Sequence, residues 1–259
     1  MTKITVNTIT LDYLDIGEGE VLVLLHGLGS TKKDWDFQIP AFSKKYRLIV
    51  PDLRGHGNSA SNTDFGVPVL TEDVFQLLTQ LNISKASFIG FSMGGAIAFE
   101  MAYVHPQIVN KLIIVNSGPD FNNMGEIGKE MITIRTEFIN TKGIKPLAEE
   151  IATKMFPETH QVDLRNEFAN RCASNNPEVY LKTFLSLMEW GLAEKITTLT
   201  APTLVVSSDM DYTPVAHKES YTSKMQNARL CIIKNSRHGV LMDQPKAFNE
   251  AVLNFLQHD

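Results

Sequence analysis

Short apolar runs, many of them β-branched, alternate along this chain with longer stretches in which apolar positions recur every three or four residues. The opening segment "ITVNTITLDYLDI" (4–16) alternates apolar and polar positions and predicts an antiparallel hairpin. "VLVLL" (21–25), "RLIV" (47–50), "ASFI" (86–89), "KLIIV" (111–115), "TLVV" (203–206) and "RLCII" (229–233) are nearly continuous apolar runs. Such runs suit strands of a parallel sheet that are covered on both faces. Between them, Val74, Leu77, Leu78 and Leu81 recur at helical spacing, as do Phe248, Ala251, Val252 and Phe255. Strands alternating with helices predict an α/β fold, a doubly wound and mostly parallel sheet.

One region breaks the alternation. From Pro119 to Glu194 there is no strand pattern, only helical stretches such as "EEIATKMFPE" and "EVYLKTFLSLMEW", carrying Met124, Met131, Met155, Met188, five phenylalanines and Trp190. Both ends of this region feed sheet strands. It is therefore expected to be a helical cap (119–194), inserted before the last two strands and lying over the strands' carboxyl ends, where open α/β sheets bind ligands. The body would comprise residues 1–118 and 195–259.

The chain has 259 residues, 43% of them hydrophobic and 20% charged, a composition of folded soluble proteins. Its net charge of −5 disfavours nucleic acid or an anionic membrane as partner, since both call for clustered Lys and Arg. Cys172 and Cys231 have neither metal-site nor redox spacing and are expected to be buried reduced thiols. The first twenty residues carry acids and no long apolar run, so neither a signal peptide nor a membrane span is expected, and the cytoplasm is the expected location.

The candidate chemistry centres on "ASFIGFSMGGAIAFEMA" (86–102). Here a strand runs through Gly90-Phe91-Ser92-Met93-Gly94 into a helix. A serine in a sharp strand-to-helix turn between glycines is presented at a helix N-terminus, where developing negative charge is favoured. With this motif in place the chain resembles the α/β-hydrolase superfamily. The resemblance makes Ser92 the nucleophile. It makes His238, in "NSRHGVLMDQP" between the last strand and the last helix, the base. His26 in "HGLGS" and His56 in "DLRGHGNS" match the family's structural histidines. His105, His160, His217 and His258 stand in surface-like contexts and are expected to be solvated or merely packed.

Two acids follow "TLVVSS", Asp209 and Asp211. The register of "SDMDYTP" against the family pattern favours Asp211 as the triad acid, which places Ser92, Asp211 and His238 in the order this fold uses. The resemblance also implies an oxyanion hole made by the backbone N–H groups of Leu28 and Met93. No metal or organic cofactor is called for.

Serine at position 92 argues against the dehalogenase and epoxide-hydrolase branches of the family it resembles, which carry aspartate at the nucleophile position. "HGLGSTKKDWDFQIP" and "RGHGNS" resemble the enol-lactonases well. The implied activity is hydrolysis of small to medium, mostly uncharged carboxylic esters, with a lactonase as the alternative. A perhydrolase or a non-catalytic ligand receptor stands behind both. The implied partner is a small-molecule ester or lactone. Arg135, Arg165 and Arg171 are the candidate anion partners if the substrate is an anionic lactone.

Overall fold

The computed structural model describes residues 2–61 and 64–258. Among them, eight strands form one sheet: β1 (Thr2–Val6), β2 (Ile9–Ile16), β3 (Val21–Leu25), β4 (Arg47–Pro51), β5 (Ala86–Phe91), β6 (Val109–Val115), β7 (Thr203–Ser208) and β8 (Ala228–Ile233). The helices are α1 (Ile39–Phe42), α2 (Val67–Gln80), α3 (Met93–Val104), α4 (Gly125–Lys142), α5 (Ile144–Met155), α6 (Val162–Ala173), α7 (Pro177–Met188), α8 (Val215–Thr222), α9 (Val240–Asp243) and α10 (Pro245–His258). The strand order is β1-β2-β4-β3-β5-β6-β7-β8. The β1–β2 and β2–β4 pairs are antiparallel and every other pair is parallel. The α/β architecture expected from the alternating pattern is therefore present.

The apolar runs explain the layers. Leu22 to Leu25 of β3 and all of β5 are buried, because helices cover the sheet on both sides. Helix α2 turns Val67, Leu70, Val74, Leu77 and Leu78 inward, the stripe its spacing predicts. Helix α3 is buried on all sides from Met93 to Ala102, packed between the sheet and α2. The apolar run at β8 departs from the pattern of a strand covered on both faces: it forms the edge of the sheet and leaves Ile232 37% exposed. An edge strand has a neighbour on one side only, so an apolar run there is not matched by full burial.

Strand order reverses between β3 and β5. After β3 the chain winds outward to β4, then crosses back to lay β5 on the other side of β3, with Leu25 opposite Gly90. The loops leaving the carboxyl ends of β3 and β5 thus diverge and leave a crevice, the usual ligand position in such sheets. Helices α4 to α7 fall between β6 and β7. The two ends of this insertion are laced together: Asp120 and Gly191 form an antiparallel bridge, Leu192 N–H donates to Pro119 O at 2.8 Å, and Asn122 N–H donates to Trp190 O at 3.0 Å. Phe156, Phe168, Cys172 and Tyr180 of the insertion pack in one cluster with Trp35, Phe42 and Ile113 of the body. Both cysteines are free thiols; Cys172 is buried as expected, while Cys231, on the edge strand, is only half-buried. No helix among the described residues is long and apolar enough to cross a membrane.

Candidate active site

Ser92 joins β5 to α3 with φ 53° and ψ −115°, a backbone conformation that costs an L-residue about 1–3 kcal/mol. Its neighbours make the turn possible. A Cβ on Gly90 would lie 2.1 Å from the carbonyl oxygen of Gly94, and one on Gly94 would lie 2.2 Å from that of Leu25. The turn is held by its main chain: Ser92 N–H donates to Val115 O at 2.9 Å, and Ser117 Oγ donates to Ser92 O at 2.7 Å. The Ser92 hydroxyl makes no hydrogen bond among the described residues. It opens into a cavity of about 120 Å³, lined also by Leu28, Asn116, Asp211 and His238 of the body and by Met124, Met131, Arg135 and Phe184 of the insertion. A smaller cavity of about 50 Å³ shares Leu28, Ser92, Arg135, Tyr212 and His238 with it and reaches toward Met155 and Phe168.

His238 follows β8, and its imidazole packs between the rings of Phe91 and Tyr212, with centroids 5.0 and 4.4 Å away. Its Nδ1 lies 2.5 Å from Asp211 Oδ1. The Asp211 side chain is 1% exposed. Burial works to raise its carboxyl, but the charges and hydrogen bonds of His238 and Lys218 override that and hold it well below the usual carboxylate range. Asp209, the other candidate, points elsewhere: it accepts from the N–H groups of Asn235 (3.1 Å) and Ser236 (3.2 Å), staying on the loop that carries His238. Of the two acids, the structure brings Asp211 to the imidazole.

The Leu28 loop is shaped by polar contacts. Asp34 accepts from Gly27 N–H and from Ser30 Oγ, and is paired by Arg171 at 3.2 Å. Gly27 N–H is thereby occupied, whereas Leu28 N–H and Met93 N–H, the first of helix α3, have no acceptor among the described residues. His26 donates from Nδ1 to Gly27 O (2.8 Å) and accepts Leu53 N–H at Nε2 (2.9 Å). Burial pushes His26 down to about 4 and His56 down to about 3, so both are neutral fixtures of the loops. Arg171 is used by Asp34, and Arg165 reaches Phe156 O at 3.3 Å and lines neither cavity. Arg135 lines both. It donates to Tyr180 OH at 3.2 Å, lies over the Phe184 ring, and has no carboxylate partner among the described residues.

Four residues at the site escaped the reading of the sequence. Asn116, just past β6, donates to His238 O (2.8 Å) and to Ser208 Oγ (2.7 Å), and accepts Ser208 N–H, tying three loops together. Thr213 donates to Asp211 Oδ2 at 3.1 Å. Lys218, in α8, pairs with the same oxygen. His217 also lines the larger cavity, although its helical context looks like surface. The one signal for these was position, since each follows the carboxyl end of a sheet strand.

A family model described as the alpha/beta hydrolase fold matches residues 20–245. The chain is 29% identical over 259 residues to a protein named 3-oxoadipate enol-lactonase 2 of Acinetobacter baylyi, covering 96% of this chain and 94% of that one. It is 28% identical to a protein named putative carbamate hydrolase RutD of a Caulobacter species, covering 92% and 90%. Its fold matches an esterase from Exiguobacterium antarcticum with a TM-score of 0.92 at 23% identity, covering 99% of each chain. The chain belongs to the α/β-hydrolase fold family, and hydrolase activity is supported.

Proposed function

We propose that this member of the α/β-hydrolase fold family hydrolyses carboxylic esters through an acyl-enzyme on Ser92. One observation carries the reading. A serine in a strained strand-to-helix turn opens into the same cavity as a histidine whose far nitrogen is bonded to a buried carboxylate. In this reading Asp211 accepts Nδ1–H of His238 and so leaves Nε2 unprotonated, ready to take the Ser92 proton as Oγ attacks the acyl carbon. The oxyanion is received by the N–H groups of Leu28 and Met93, each worth roughly 3 kcal/mol in the transition state. His238 then protonates the departing alcohol and draws a proton from the water that releases the acid. Contacts between such a serine and its base are often long until substrate is bound, which accords with a Ser92 hydroxyl that makes no hydrogen bond among the described residues. Helices α4 to α7 act as a cap whose Met and Phe side chains form a pocket for an apolar acyl or alcohol group, and small to medium uncharged esters follow as substrates.

A second reading has its own observation. Arg135 stands in the cavity without a carboxylate partner among the described residues, which suits a lactone or ester bearing an acid group. The 29% identical relative named as an enol-lactonase supports it further. Assaying p-nitrophenyl esters beside neutral and anionic lactones, with Ser92→Ala as control, separates the readings. Full turnover retained by Ser92→Ala would overturn both.

A further inference from the structure

Lys218 is a lysine with no exposed surface, on a helix whose neighbouring residues His217 and Glu219 face outward. Fully buried lysines are rare, and this one has a partner for each of its three donors. Its Nζ donates to Asp211 Oδ2, to Thr213 Oγ1 and to Thr213 O at 2.6 Å. All three acceptors sit on the loop between β7 and α8. Asp211 therefore accepts on both sides: His238 on Oδ1, Lys218 and Thr213 on Oδ2.

We propose that Lys218 is a positioning residue, one that aims Asp211 at His238 and whose positive charge offsets part of the carboxylate's pull on the imidazole. The inference rests on the triad reading above. Its physical basis is the opposition of two charges on one hydrogen-bonded chain. A lone buried carboxylate favours the imidazolium, whereas a carboxylate half-neutralised by an ammonium favours it less. Burial draws the Lys218 ammonium below its ordinary range and Asp211 pulls it back, so the charge depends on the pair.

Among the described residues, the other charged groups around the site make no hydrogen bond to Asp211. Arg135 reaches the cavity from α4 and bonds Tyr180. His217 faces Gly118 and the Tyr221 ring, and the charge of Asp120 acts on it. The Tyr221 hydroxyl donates to Ser117 O. Asp209 is held by two backbone N–H groups, and Asp243 by Ser236 and Arg237. Tyr212 stacks on the imidazole face. Among the described residues, Lys218 is the ammonium bonded to Asp211.

The test is the rate at which a fluorophosphonate labels Ser92, followed from pH 5 to 9, a readout that needs no knowledge of the substrate. In K218M the pH of half-maximal labelling should rise by about one unit, with a lower plateau as Asp211 loses its aim. K218Q keeps a donor for Asp211 without the charge. It should show the same rise with a plateau nearer that of the unmodified protein, and it stands in if K218M does not fold. K218R, which keeps the charge, should bring the midpoint back to within about 0.3 unit. A midpoint unmoved or lowered in both neutral variants overturns the inference, whatever their plateaus. A wild-type chain that is not labelled at Ser92 overturns the triad reading itself, and the inference with it.

Discussion

Replacing Asp211 by asparagine keeps the shape of the side chain and changes which atom faces the imidazole. The carboxylate accepts at both oxygens, from His238 Nδ1 on one and from Lys218 and Thr213 on the other. An asparagine has one acceptor and one donor end. Lys218 can only donate, so it takes the amide oxygen and leaves the NH₂ facing Nδ1. An imidazole that accepts at Nδ1 carries its proton on Nε2, the tautomer that cannot receive the Ser92 proton. The expected loss in kcat is about 10⁴-fold. Stability should fall as well, by about 3 kcal/mol, because a fully buried ammonium loses its counter-charge. Asp209→Asn is the internal control. It disturbs two backbone N–H bonds on the His238 loop, at a cost near 1 kcal/mol, and kcat should stay within about tenfold. Steady-state ester hydrolysis at pH 8 and urea unfolding measure both quantities in both variants. If Asp211→Asn kept more than about a tenth of kcat, the tautomer argument would be refuted.

Three further outcomes follow from the same geometry. Ser92→Gly and Ser92→Ala should both lose turnover, but the glycine variant should be the more stable by about 1 kcal/mol in urea, because only glycine adopts φ 53°, ψ −115° without strain. Arg135→Gln should raise KM for a carboxylate-bearing lactone about tenfold or more while leaving neutral esters nearly unchanged; an equal loss on both would remove the anion role. His26 and His56, held at about 4 and about 3 in the folded chain, titrate near 6.5 once unfolded, so the unfolded state takes up protons first as pH falls. Their contribution is full above pH ~6.5 and is lost toward about 4 for His26 and about 3 for His56, about 2 kcal/mol each between pH 7 and 5. Urea midpoints at those two pH values that did not differ would contradict it.

Much of the architecture was legible along the chain because it rests on local rules. Runs such as "VLVLL" and "ASFIGF" read as strands suited to burial on both faces, and "GFSMGG" between a strand and a helix leaves one sharp turn for the serine. The glycines at 90 and 94 were readable for the same reason, since the clash they avoid arises within the turn and against the adjacent strand. The edge position of β8 was not readable, because "RLCII" is as apolar as a central strand and strand order is a long-range property.

The site divides along the same line. Local pattern was enough to place Ser92 in a sharp strand-to-helix turn, an acid and a histidine after two later strands, and helices in the stretch between β6 and β7. Tertiary structure decided which acid meets the imidazole, since Asp209 and Asp211 share a loop and differ only in what lies opposite them: backbone amides for one, His238 for the other. It decided too that Arg171 is spent on Asp34 while Arg135 faces the cavity. And it decided that Lys218, charged and in a polar helix, is buried against Asp211. The physical reason is one of range. Strands, helices and tight turns are set by neighbours a few residues away, whereas the partner of a buried charge is chosen by whichever group the packing brings within about 3 Å, from anywhere along the chain.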